Sequence, residues 1–217
     1  TKVRFVRSLI APAALALLSA TASAIPITEP GQLDAPTDLI DVTGITNPVT
    51  GPLLFATSIG TVVITNADHA IDTDSFGASI TYPDYVSGTA LGIPDSNSSL
   101  PNFTIIFATP VAQVGFGLFD PNFEASDSMI RAIDNDFNVL ETTSPDALFP
   151  TGGSGADYVG FSRATADIKA IEIIASPGDA LWIDNLAFSL TPANVPSPAP
   201  MMLMGAGLML LARLRRR

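Results

Sequence analysis

The chain has 217 residues, 47% of them hydrophobic and only 14% charged, and it contains no cysteine. Such a composition is too apolar for a disordered chain and long enough for one domain that needs no disulfides. It rules out thiolate metal sites and thiol redox chemistry. With His69 the single histidine, little remains for zinc.

Charge is segregated along the chain. Lys2, Arg4 and Arg7 stand at the start and Arg213, Arg215, Arg216 and Arg217 at the end. Residues 25–194 hold three basic residues, Arg131, Arg163 and Lys169, against all 21 acidic ones, a net charge of −18. A surface of that sign repels phosphates, so no nucleic acid is expected as a partner.

Residues 1–24 read as a cleavable export signal. A basic start precedes an apolar run from Leu9 to Leu18, and Ala22-Ser23-Ala24 supplies a small-residue cleavage site. Processing after Ala24 makes Ile25 the new N-terminus.

Residues 25–190 predict one acidic all-β domain, an antiparallel β-sandwich of jelly-roll type. Strands are expected at 60–65, 76–82, 103–109, 111–119, 129–134, 137–142, 158–162, 168–174 and 181–190. Period-two alternation carries this reading. Phe103, Ile105 and Phe107 share one face, as do Val114, Phe116 and Leu118, with Gln113, Gly115 and Gly117 opposite. Thr109-Pro110 joins two strands. Asp134-Asn135-Asp136 turns Ile133 into Phe137, since Asn and Asp tolerate left-handed backbone. Residues 25–58 carry the weakest strand signals, and no stretch supports three helical turns.

Residues 191–198 form a proline-rich linker ending in Val195-Pro196-Ser197-Pro198. Residues 199–217 follow as an apolar run, Ala199 to Ala212, closed by the arginines. The run gives about 21 Å of helix against a hydrocarbon core of roughly 30 Å. Leu214 and the arginine stems extend it as a single transmembrane helix, with its basic end cytoplasmic.

Proline motif, apolar run and terminal arginines together resemble the PEP-CTERM sorting signal. The resemblance covers the last 23 residues or so, through Val195, Pro196, Pro198 and Arg213 to Arg217. It departs at Ser197, where that family most often has Glu. It implies recognition by an exosortase, a membrane transpeptidase-like enzyme. The expected course is export, an inner-membrane anchored intermediate, then the cell surface or an extracellular exopolysaccharide matrix. The run Phe107 to Phe116, with Trp182-Ile183-Asp184-Asn185-Leu186-Ala187-Phe188, resembles sandwich domains found upstream of such tails. It is also similar to carbohydrate-binding β-sandwiches, in which an aspartate of the last strand helps hold structural calcium.

That resemblance makes Asp184, with Asp179, a calcium expectation, and Asp72 with Asp74 a weaker one. The plainer alternative is that Asp184 and Asn185 cap backbone amides. His69 beside Asp68 lacks the surroundings of a nucleophile site, and Glu29, Glu124, Glu141 and Glu172 form no distinctive pair. Trp182, Tyr82, Tyr85 and Tyr158 are the rings available for stacking on sugars, with Trp182 more at home in a core. The expected function is a non-enzymatic surface or matrix protein. A carbohydrate-binding module for exopolysaccharide and a secreted hydrolase are the alternatives.

Overall fold

A computed structural model describes residues 25–34, 36, 38–40, 42, 45, 51–66, 72–76, 86, 88–93, 102–120, 128–144, 155–175 and 181–192. The expected signal, the sorting motif and the expected C-terminal helix lie outside them. Among the described residues no helix is long and apolar enough to cross a membrane.

Two antiparallel sheets make the fold. The seven-stranded sheet contains β1 (Ile25–Ile27), β2 (Asp38–Ile40), β5 (Asp72–Phe76), β6 (Gly88–Ile93), β8 (Gln113–Asp120), β11 (Gly155–Ser162) and β13 (Leu181–Ser189). Its order is β1-β11-β8-β13-β6-β5, with β2 also on β13. The six-stranded sheet contains β3 (Leu53–Thr57), β4 (Gly60–Asn66), β7 (Asn102–Val111), β9 (Met129–Ile133), β10 (Val139–Thr143) and β12 (Ile168–Ile174). Its order is β10-β9-β12-β7-β4-β3. A single 3-10 turn, Pro30–Gln32, is the described helical element.

Alternation sends one face of each sheet into a shared core. Val114, Phe116, Leu118, Phe161, Ile183 and Phe188 come from the seven-stranded sheet, and Val62, Ile64, Phe103, Ile105, Phe107 and Ile171 from the other. All are buried. Burial of this apolar surface, at about 25 cal/mol per Å², is what holds the two layers together.

The strand signals at β4, β7, β8, β9, β12 and β13 match the expected runs closely. The connection at Thr109-Pro110 differs. β7 continues through it to Val111, and β8 belongs to the opposite sheet. Pro110 has no N–H to give a ladder, and the β12 register jumps there from Ala170–Ile106 to Ile168–Val111. The chain changes sheets at Ala112. Its N–H donates to the Ser189 carbonyl and its carbonyl accepts from the Arg163 N–H, each at 2.9 Å.

The seven-stranded sheet is covered on its outer face as well. Ile27 and Leu33 pack there on Tyr158 and Ala187. Val86 packs on Ala90, Phe119 and Trp182. The segment after β1 is pinned by buried Gln113, whose Oε1 accepts from the Asp34 N–H (2.8 Å) and whose Nε2 donates to Asp34 Oδ2 (3.1 Å). Ser189 Oγ donates to the Asp34 carbonyl at 3.0 Å. Burial pushes the Tyr158 phenol well above its ordinary pKa.

Candidate functional site

Two places in the described domain depart from regular strand geometry with a non-glycine residue at positive φ: Asn185 and Phe137.

Asn185 lies in β13. Asp184 pairs with Gly117 and Ala187 with Gly115, so Asn185 and Leu186 oppose Phe116 alone, a β-bulge. The extra residue is Asn185 at φ 51, a conformation asparagine tolerates better than most. The bulge keeps both Ile183 and Leu186 in the core. It also marks a fork. Before it β13 pairs with β6 at Leu181–Ile183, and after it with β2 at Leu186–Phe188. Asp184 sits at the fork and is buried. Its Oδ1 accepts from the Asn185 N–H at 2.7 Å, and its Oδ2 from Asn185 Nδ2 at 3.3 Å. A buried carboxylate must be hydrogen-bonded or paired, and this is the amide-capping geometry. The Ile-Asp-Asn-hydrophobic pattern is therefore the sequence of a bulge.

Of the residues in the calcium expectation, Asp179 lies outside the described residues. Asp72 and Asp74 lie on edge strand β5, in register with Gly92 and Ala90 of β6. Among the described residues no three His, Asp or Glu side chains come together as a metal site. His69, Asp68, Tyr82 and Tyr85 lie outside the described residues.

Trp182 and Tyr158 are only 8% and 1% exposed. Both lie on the outer face of the seven-stranded sheet, over glycine. A Cβ at Gly92 would enter the Trp182 ring, and one at Gly115 would lie 2.5 Å from Tyr158 Cε1 and 2.9 Å from its hydroxyl. These rings serve packing and offer no open stacking surface.

Phe137 is the residue the sequence reading placed wrongly, as the first residue of a strand. It belongs to the turn between β9 and β10, at φ 65. The turn is longer than Asp134–Asp136 because the Asp134 side chain organises it as far as Asn138. Asp134 Oδ1 accepts from the N–H groups of Asp136 and Asn138, both at 2.8 Å, and its Oδ2 from Asn138 Nδ2 at 3.0 Å. The Phe137 N–H donates to the Asp134 carbonyl at 3.2 Å, and the Asp134 N–H to that of Asn138 at 2.9 Å. The donors from Asn138, side chain first and then backbone, hold the Asp134 carboxyl below its usual range. On this locked turn the Phe137 ring is 86% exposed. An Asp-Asn-Asp-Phe-Asn run, with an aromatic amid residues that tolerate left-handed backbone, was the available signal.

The arrangement defines an all-β domain of two antiparallel sheets that share one core, with an exposed aromatic on a rigid hairpin. No protein-family model and no curated protein matches the chain. Among solved structures it is similar to the K2 cleaved adhesin domain of Lys-gingipain at 12% identity and a TM-score of 0.46, over 76% of this chain and 98% of that one. It is similar to a mutant of the family 29 carbohydrate-binding module CBM29-2 at 13% identity and a TM-score of 0.38, over 82% and 99%. It is also similar to TmCBM61, solved with β-1,4-galactotriose, at 13% identity and a TM-score of 0.36, over 58% and 86%.

Proposed function

We propose that this chain is a non-enzymatic surface or extracellular-matrix protein, exported and then sorted by an exosortase-like transpeptidase, with a jelly-roll-type sandwich as its exposed domain. The non-enzymatic part is supported by how several of the described ionisable groups are used. Arg163 forks onto Asp167, with Nη2–Oδ2 at 2.9 Å, and Arg131 reaches Glu172 at 3.4 Å. Lys169 Nζ donates to the Ala108 carbonyl at 2.8 Å. Asp38, Asp134 and Asp184 accept from backbone amides, and Asp34 Oδ2 accepts from the Gln113 side-chain amide. Each holds the fold's own backbone or its neighbour. General acid–base work needs a group aimed at a substrate.

Export and sorting rest on the two ends of the sequence. In a bacterium that carries an exosortase, the full chain is expected in the matrix fraction, starting at Ile25 and lacking its arginine tail. A chain with Arg213, Arg215, Arg216 and Arg217 all changed to Ala is expected to stay in the inner membrane, tail intact. Equal distribution of the two chains, or a matrix form starting near Thr1, would refute the sorting reading.

Phe137 favours carbohydrate binding as a second reading. Left-handed backbone costs an ordinary residue roughly 1–2 kcal/mol, and the exposed ring recovers none of that by burial. Strain of this kind points to use at a surface. A ring flanked by Asn135 and Asp136, both exposed, combines an apolar plate with a hydroxyl-binding amide and carboxylate. On an exopolysaccharide and glycan array, wild type is expected to be retained and Phe137→Asn to lose most of its signal. The same substitution is expected to raise the melting temperature, since asparagine fits φ 65 better. Undiminished retention by Phe137→Asn would remove the hairpin from the reading.

A further inference from the structure

Among the described residues five strands have a neighbour on one side only: β1, β5, β10, β3 and β2, which carries Asp38. Open edges are templates for pairing with another chain, and proteins blunt them with charge or proline. β10 carries Glu141, β5 carries Asp72 and Asp74, and β1 carries Pro26 at its centre. β3, Leu53-Leu54-Phe55-Ala56-Thr57, carries neither. No charged residue occurs between Asp41 and Asp68, in a domain whose net charge is −18. On this edge two copies of an acidic domain meet with no charge on either strand.

Register identifies the backbone groups that face outward. Thr57 and Gly60 close the two-residue turn to β4. A ladder pair that closes so short a turn must exchange its own hydrogen bonds. Bonded pairs then alternate, so Phe55–Val62 and Leu53–Ile64 are bonded and Leu54–Val63 and Ala56–Thr61 are not. The N–H and C=O of Leu54 and Ala56 therefore face the open side. The Leu54 side chain is 66% exposed, and Ala56 is exposed as well.

We infer that β3 is a self-association edge that pairs antiparallel with β3 of a second copy. A two-fold axis at Phe55 sets Leu54 of each copy opposite Ala56 of the other, a large residue against a small one, with four backbone hydrogen bonds between them. Phe55 meets its counterpart beside the core. Two six-stranded sheets become one of twelve. The contact is isologous and closes as a dimer.

The absence of cysteine makes the contact directly readable. In this pairing the two Phe55 residues form a non-bonded pair with Cα atoms about 4.5 Å apart, inside the span a disulfide bridges. Full-length Phe55→Cys is expected to give an oxidised dimer on a non-reducing gel. Adding Ala56→Pro should abolish it, because that proline deletes only an outward N–H. Ala166→Cys, exposed and remote in sequence, is the background.

Phe55 touches the core, so sedimentation of the otherwise unaltered full chain in detergent supplies an independent measurement. Leu54→Lys is expected to weaken the dimer about tenfold or more. Val139→Lys, on the opposite edge, should leave it unchanged. The inference is overturned by a dimer that survives both Leu54→Lys and Ala56→Pro. It is equally overturned by a monomeric wild type whose Phe55→Cys form cross-links no more than Ala166→Cys.

Discussion

Replacing Gly160 with alanine is expected to abolish cooperative unfolding altogether. Gly160 lies in β11, in register with Gly115 of β8. A Cβ at Gly160 would overlap the Val114 carbonyl oxygen and lie 2.7 Å from Gly115 Cα and 2.9 Å from the Val114 carbonyl carbon. Those atoms are backbone. β8 is held by β11 on one side and β13 on the other, so it yields only by breaking a ladder. Ordinary overpacking costs about 1–3 kcal/mol because side chains give way. Here none is available to move, and the cost is expected to exceed about 4–5 kcal/mol. Against a total stability of roughly 5–15 kcal/mol, that empties the native state or nearly so. Circular-dichroism melting decides the matter, with Gly31→Ala as control, since a Cβ there meets nothing within 4 Å. A Gly160→Ala melting temperature close to wild type would mean that β8 and β11 separate at low cost, and the sheet described above would be wrong at its centre.

Gly160 also shows what the sequence does and does not reveal. Strands with large alternating residues were plain: Phe103, Ile105 and Phe107 in β7, Val114, Phe116 and Leu118 in β8, Ile171 and Ile173 in β12. In each, the hydrophobic effect writes the period directly into the chain. On the opposite face of β8, Gln113, Gly115 and Gly117 are all buried as well. They are small or uncharged because the segment carrying Ile27, Leu33 and Asp34 folds back over them, a non-local fact that local alternation cannot encode. β6 went unread for a related reason. Gly88 and Gly92 lower its strand propensity, and Gly92 is there to admit the Trp182 ring. β1 and β2 are three residues each, too short to display a period. β3 lies within the threonine- and proline-rich stretch whose composition hid it. The polar pair in the terminal strand was visible as Asp184 and Asn185. Its bulge was not, because the second neighbour, β2, was missing from the reading.

Phe107→Ala is expected to cost about 3–5 kcal/mol, the usual range for a fully buried phenylalanine. The ring is wholly buried. It stands on β7 of the six-stranded sheet, opposite Val62, and meets Phe188 of the seven-stranded sheet edge to face, with centroids 5.2 Å apart and planes at 62°. The pair therefore ties the two layers directly. Truncation leaves a space between sheets, and each sheet is stiffened against closing it by ladders on both sides of β7 and of β13. For a domain of this size the melting temperature should fall by about 10–15 °C. Phe188→Ala should cost a similar amount, and the double variant less than the sum. The shortfall of about 0.5–1.5 kcal/mol is the edge-to-face contact itself. Strict additivity would show that the rings act only as separate fillers. A loss under about 1 kcal/mol for either single variant would show that the sheets collapse onto the gap, and that the core between them is softer than close packing requires.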